Sequence, residues 1–236
     1  MLRKSALVLL LVFSFLSCKD EVKPLAFETT NIEGDFASEI EVSYALFSEG
    51  TASDAINITL SERIKEEIGQ ETSETVASAV KAFDDEYKAF KKDFPDSAQQ
   101  WVLSIETEVL YQSEDILSLA LSIYQDTGGA HGNDRINLLN FDPKTGKLLA
   151  YDDVFSDMDA MKTKVKSEFY KTVSDDDEDE NHDYFFGKDF QLPENFGFTE
   201  DGVIFLYNTY EVASYDRGFV EFVVGYEEIE QYSIKN

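Results

Sequence analysis

The 236-residue chain sets 20 Lys and Arg against 48 Asp and Glu, a formal charge of −28. Its hydrophobic content of 43% and aromatic content of 14% supply enough apolar surface for a packed interior and exclude global disorder. So acidic a surface repels nucleic acid and anionic lipid head groups, and attracts cations and basic proteins.

Arg3 and Lys4 precede an apolar run from Ala6 to Leu16, broken only by Ser14, and Phe15-Leu16-Ser17-Cys18 closes it. The run falls short of the ~20 apolar residues that span a bilayer. A positive start, an apolar stretch and a small residue at the end have the order of a secretory signal. The arrangement resembles a bacterial lipoprotein signal. Residues 1–17 are then the signal peptide, Cys18 the lipidated first residue of the mature chain, and 18–29 the lipidated cysteine and its tether. Cys18 is the sole cysteine, so the chain has no internal disulfide. Lys19-Asp20-Glu21 looks like the tag that sends some Gram-negative lipoproteins to the outer face of the outer membrane. The expectation is an outer-membrane lipoprotein whose folded part lies outside the cytoplasm.

Phe27, Thr29 and Asn31 alternate with Glu28, Thr30 and Ile32, a modest strand signal. Phe36 to Phe47 gives a stronger one, with Ile40, Val42, Tyr44 and Leu46 on one face. Ile56, Leu60, Ile64 and Ile68 follow at helical spacing, which predicts a helix over 53–68 with Ser53 as N-cap and Gly69 as stop. Val76, Val80, Phe83, Tyr87, Phe90 and Phe94 mark a second helix ended by Pro95, its aromatic stripe packed on a sheet. Trp101 to Tyr111 alternates as a strand, Ser113-Glu114-Asp115 turns the chain, and Leu117 to Ile123 returns. The Gly128-Gly129-Ala130-His131-Gly132-Asn133 loop leads to a strand over Arg135–Phe141. A turn at 142–146 then sends the chain back into 147–151, completing an antiparallel meander.

Ser156, with Asp159 three residues on, predicts the start of a third helix whose inner side carries Met161, Val165 and Phe169. The helix runs into an acidic block at 175–183 with no apolar position, read as a solvated loop. Thr199 to Gly202 is a hairpin turn, Val203–Tyr210 and Phe219–Val224 are strands, and Tyr226–Tyr232 a short helix. The fold expected is α+β: antiparallel sheets with packed helices in two interlocked subdomains, residues 30–115 and 116–236.

Chemistry is sparse. His131 and His182 are the only histidines, and no His-Glu-x-x-His, Gly-x-Ser-x-Gly or P-loop pattern is present. The acidic block lacks the D-x-[DN]-x-[DN]-G spacing that curls a chain around Ca²⁺. Neither a metal site nor a cofactor is expected. Gly128, Gly129, Ala130, His131, Gly132 and Asn133 form the candidate binding loop, with His131 either a loop lock or a base at a loop tip.

Several marks together resemble the extracytoplasmic domain of the RsiV family of anti-sigma factors. Tyr44 and Asn57 look like that family's N-terminal subdomain, also found in the peptidoglycan deacetylase PdaC. More specific are the 128–133 loop, Asn140-Phe141-Asp142, Thr145-Gly146-Lys147 and Asp152 to Phe155. Asp201-Gly202-Val203, Tyr210-Glu211-Val212 and Tyr215 complete the set. The resemblance implies a binding protein of the cell envelope, with lysozyme or another basic protein as partner. Sigma-factor signalling does not carry over, because this sequence shows no sigma-binding region and no spanning helix. Deacetylase chemistry does not either, because two histidines cannot supply a His-x-x-x-His motif from positions 131 and 182. The alternative is an envelope hydrolase acting on carbohydrate or peptidoglycan through carboxylates and His131.

Overall fold

A computed structural model describes residues 24–175 and 184–234. The signal segment, Cys18, the Lys19-Asp20-Glu21 tag and the acidic block from 176 onward, with His182, lie outside the described residues. Five strands make one sheet in sequence order: β1 (Phe27–Asn31), β2 (Glu39–Phe47), β3 (Val102–Gln112), β4 (Leu117–Asp126) and β5 (Asn133–Phe141). Three more form an antiparallel sheet, β6 (Asn195–Phe198), β7 (Gly202–Tyr207) and β8 (Val220–Gly225). The architecture is α+β as expected, with one difference. β2 and β3 pair in parallel, Ile40 opposite Leu103, while the other neighbours are antiparallel. A parallel pair needs a crossover, and two helices provide it.

Helices α1 (Thr51–Ile68) and α2 (Val76–Asp93) fill that crossover. Ile56, Leu60, Ile64 and Ile68 are all buried, the face their spacing predicts, and Gly69 ends α1 in the left-handed conformation. The start differs from the sequence reading. Gly50 holds the N-cap position, and Ser53 sits inside the first turn with its hydroxyl donating back to the Ser48 and Glu49 carbonyls. Thr75 caps α2 through a reciprocal pair of bonds with Ser78. Its aromatic stripe packs inward: Phe83, Tyr87 and Phe90 lie 5.5–5.6 Å from the Trp101 ring, and only Phe94, past the last turn, is exposed. These side chains and the inner faces of β2 to β5 make the first core.

The second core lies between the small sheet and helix α4 (Met158–Asp175). Met161, Val165 and Phe169 are fully buried, as their spacing predicts. Phe169 is the hub, with Tyr184, Phe185, Phe190, Tyr207 and Phe222 around its ring at 5.1–6.5 Å. Asp157 rather than Ser156 caps this helix, accepting from the Ala160 amide at 2.9 Å; Ser156 instead donates to the Tyr232 carbonyl. Two short helices, α3 (Tyr151–Val154) and α5 (Tyr226–Ile229), close the ends. The Ile234 amide bonds the Val154 carbonyl and so ties the C-terminal segment beside α3. No described helix is long and apolar enough to cross a membrane.

The cores interlock because β4 and β5 complete the first sheet yet also carry the second. Asparagine side chains make the join. Asn208 accepts from the Ile136 amide and donates to its carbonyl, both at 2.9 Å, so one side chain satisfies both edge groups of a β5 residue. Asn195 accepts from the Leu138 amide, and buried Asn140 donates to the Phe196 carbonyl while accepting from Ser118. Asn57 treats Phe47, the last residue of β2, in the same way as Asn208 treats Ile136. An edge strand left with unpaired groups invites intermolecular pairing; here amide side chains take the place of a sixth strand.

Candidate functional site

The candidate binding loop joins β4 to β5 and is held from three sides. Gly128 adopts φ +89, donates its amide to Asp126 Oδ1 and accepts from Gln99 Nε2 on the neighbouring loop. Gly132 is buried so closely against Tyr124 that a Cβ would stand 2.3 Å from the phenol oxygen. Gly128 needs glycine for its dihedral angle, whereas a side chain at Gly132 would have to push the outer end of the Tyr124 ring aside.

His131 crosses to the other subdomain. Its ring stacks on Tyr215, centroids 3.6 Å apart, and Nε2 lies 3.2 Å from the Tyr210 hydroxyl across 79 residues of sequence. Nδ1 lies 2.8 Å from the Gly132 carbonyl, which can only accept. The hydrogen-bond network therefore assigns the proton to Nδ1, leaving Nε2 to accept from Tyr210. Tyr210 itself stands at φ +70, unusual for a residue with a side chain, and places its ring 5.6 Å from Tyr215. Tyr210 remains 54% exposed and Tyr215 39%, so the triad is a solvent-facing aromatic platform on a fixed loop.

Glu211 anchors the Tyr210 segment. One carboxylate oxygen accepts from the Glu194 amide and the other from the Asn208 amide, and burial pushes its carboxyl above the usual range. Glu211 thereby orients Asn208, which grips β5. Both ring nitrogens of His131 and both oxygens of Glu211 are taken by these contacts. Among the described residues no three His, Cys, Asp or Glu side chains are grouped to hold a metal ion.

Sequence reasoning singled out the 128–133 loop and the Tyr210 to Tyr215 marks separately; the fold joins them into one surface. Cys18 lies outside the described residues. The asparagines at the β5 edge went unread except Asn140, because an isolated asparagine carries no signal until its backbone partner is known.

With the fold and loop geometry in place, the class is a two-core α+β protein with a helical crossover in the first sheet. Residues 34–134 match the family model described as Deacetylase PdaC, and residues 152–227 match Protein of unknown function (DUF3298). The first match lies over the five-stranded sheet and its helical crossover, and the second over α4 and the small sheet. A solved DUF3298 family structure from Bacteroides fragilis is similar at a TM-score of 0.65 and 23% identity. One from Pseudomonas aeruginosa gives a TM-score of 0.61 at 18% identity. Each comparison covers 89% of this chain and 95% of the other, so they share this fold over nearly its whole length. No curated protein matches the chain.

Proposed function

We propose that the protein is a non-enzymatic binding module of the cell envelope, anchored through lipid on Cys18, whose platform around His131 engages a strongly basic protein of the lysozyme type. The observation that carries this reading is the locked Tyr210–His131–Tyr215 triad, exposed on a chain of net charge −28. Rigid aromatic side chains lose little entropy on binding and are the usual anchors of protein interfaces. The surrounding negative potential accelerates encounter with a cationic partner without fixing where it docks. The RsiV-like resemblance, in which the outer domain binds lysozyme, supports the same partner class.

Calorimetry of the full chain with hen lysozyme at ~0.15 M salt is the test, because at that ionic strength screening acts over about 8 Å. A specific site keeps its signal there, and Tyr210→Ala with Tyr215→Ala weakens binding at least about tenfold while the fold persists. Heat that disappears at physiological salt, or an unchanged affinity in the double variant, would overturn the proposal.

A further inference from the structure

A second site lies on the opposite flank of Asn208. A cleft of about 280 Å³ opens between the C-terminal half of α1, the β5 edge and the segments around Tyr151 and Asn195. Arg63 and Arg135 both face it, two of the four arginines in a chain with 48 acids. Asn137, two residues beyond Arg135 on β5, also lines it, and its Nδ2 is cut off from solvent without a hydrogen-bond partner in the protein. The neighbouring amides differ: Asn140 and Asn208 donate theirs to backbone carbonyls of the join, and Asn195 accepts there from the Leu138 amide.

The two guanidiniums are only lightly engaged. Arg63 Nη1 pairs with Glu66 at 3.1 Å, and Arg135 Nε meets Glu67 at 3.5 Å. Each guanidinium has five N–H donors in a planar fork, so most are not committed to these ion pairs. Glu194 is the one carboxylate in the lining; Glu66 and Glu67 flank the arginines from α1. Those flanking acids hold the forks in place and also require any anion to dock through shaped hydrogen bonds rather than bulk charge. A buried amide donor without an acceptor costs about 1–3 kcal/mol, so a fold that keeps one beside two arginines favours an acceptor arriving from outside.

We propose that this cleft binds a small carboxylate-bearing ligand, its carboxylate received by Arg63 and Arg135, while the Asn137 side chain, whose Nδ2 is covered in the unliganded protein, turns to receive a neighbouring hydroxyl or acyl oxygen. Arginine forks match planar carboxylates in two-point contact, and the adjoining amide selects a second oxygen close to the first. Sugar acids and N-acylated amino acids both present that pair. The site is separate from the His131 platform and stands whether or not lysozyme binds there.

The test is ¹⁵N spectroscopy of the full chain titrated with glucuronate, glucose, N-acetyl-alanine and N-acetyl-alanine amide. Glucuronate or N-acetyl-alanine should shift the Asn137 side-chain amide and the Arg63 and Arg135 Nε–H signals, and which one does so names the source. The uncharged counterparts should leave them unmoved. Arg135→Gln should weaken the response at least about tenfold while the backbone spectrum elsewhere stays native, and Asn137→Ala should do so for any ligand using the second oxygen. No shift at these three side chains up to millimolar acid, or equal shifts from charged and neutral members of a pair, would overturn the assignment. A response to simple acetate as strong as to either acid would overturn the two-oxygen part.

Discussion

Asp84 should be the most sensitive charged position in the first subdomain, and its effect should depend on pH in a defined direction. The residue lies on α2, fully buried, and its Oδ1 accepts from the Ala37 amide, the Ser38 amide and the Ser38 hydroxyl, each at 2.8 Å. Its other oxygen is 2.5 Å from the Lys88 ammonium. The carboxylate therefore pins the segment entering β2 onto the helix, next to the parallel β2–β3 pair. Burial pushes its carboxyl upward, but the Lys88 bond and the Ser38 and Ala37 donors outweigh it and hold it at about 2. The span from 3.8 to about 2 corresponds to about 2.4 kcal/mol. Solvent around the half-exposed Lys88 reduces that to roughly 1–2 kcal/mol. With the folded value depressed, this stability is present above pH ~4 and is lost as pH falls from there through about 2. Asp84→Asn, which keeps an acceptor but loses the charge, should cost about 1–2 kcal/mol at pH 7 and almost nothing at pH 2. Asp84→Ala also strands the two buried Ser38 donors, raising the cost to about 3–4 kcal/mol at pH 7. Trp101, the single tryptophan, packs against α2 and reports unfolding directly in urea titrations. A gap between wild type and Asp84→Asn that persists undiminished at pH 2, or an alanine variant costing under about 1 kcal/mol, would refute the reasoning.

Asn208→Ala removes both bonds to Ile136 and leaves a β5 edge pair unsatisfied; a loss of about 2–3 kcal/mol in urea unfolding is expected, with faster hydrogen exchange at Ile136. Gly146→Ala puts a Cβ 2.5 Å from the Ala52 carbonyl at φ +73, so the turn must shift off α1 and the thermal midpoint should fall by several degrees. Cys18→Ser should move the protein from the membrane fraction to the soluble fraction, since acyl chains would supply the retention; a variant still pelleting after a high-salt wash would defeat the anchor.

Elements whose signal is local periodicity were legible in the sequence. The isoleucines of α1 and the aromatic stripe of α2 repeat at helical spacing and end at Gly69 and Pro95, so the burial pattern follows the letters directly. Caps were less so, because serine offers the same hydroxyl inside a first turn as before it. Ser53 turned back onto Ser48 and Glu49, and Asp157 displaced Ser156 because Ser156 had a distant partner in Tyr232. Strand pairing was the hardest to read. β2 pairs in parallel with β3 only because α1 and α2 carry the chain across, and no residue in either strand encodes that choice. The candidate site divides the same way: glycines announced the loop, but the tyrosines that hold His131 lie 79 residues or more away.

The two proposed sites share one mechanical element. Glu211 fixes Asn208, and Asn208 fixes the Ile136 edge of β5. On one side of that grip, the backbone passes through Tyr210, positioned by the turn that Glu211 closes, to Tyr215, whose ring stacks on His131. On the other, Asn208 itself lines the cleft with Arg135 and Asn137 from the same strand. Displacing the 208–211 turn would therefore disturb the aromatic platform and the cleft together. Glu211→Gln keeps the volume but exchanges one acceptor for a donor facing the Glu194 or Asn208 amide. The variant should lose about 1–2 kcal/mol, and His131 ring signals and Asn137 side-chain signals should both move although neither residue touches Glu211. A variant in which only the platform moves would show that the two sites are held separately, with the join supported by Asn140 and Asn195 alone.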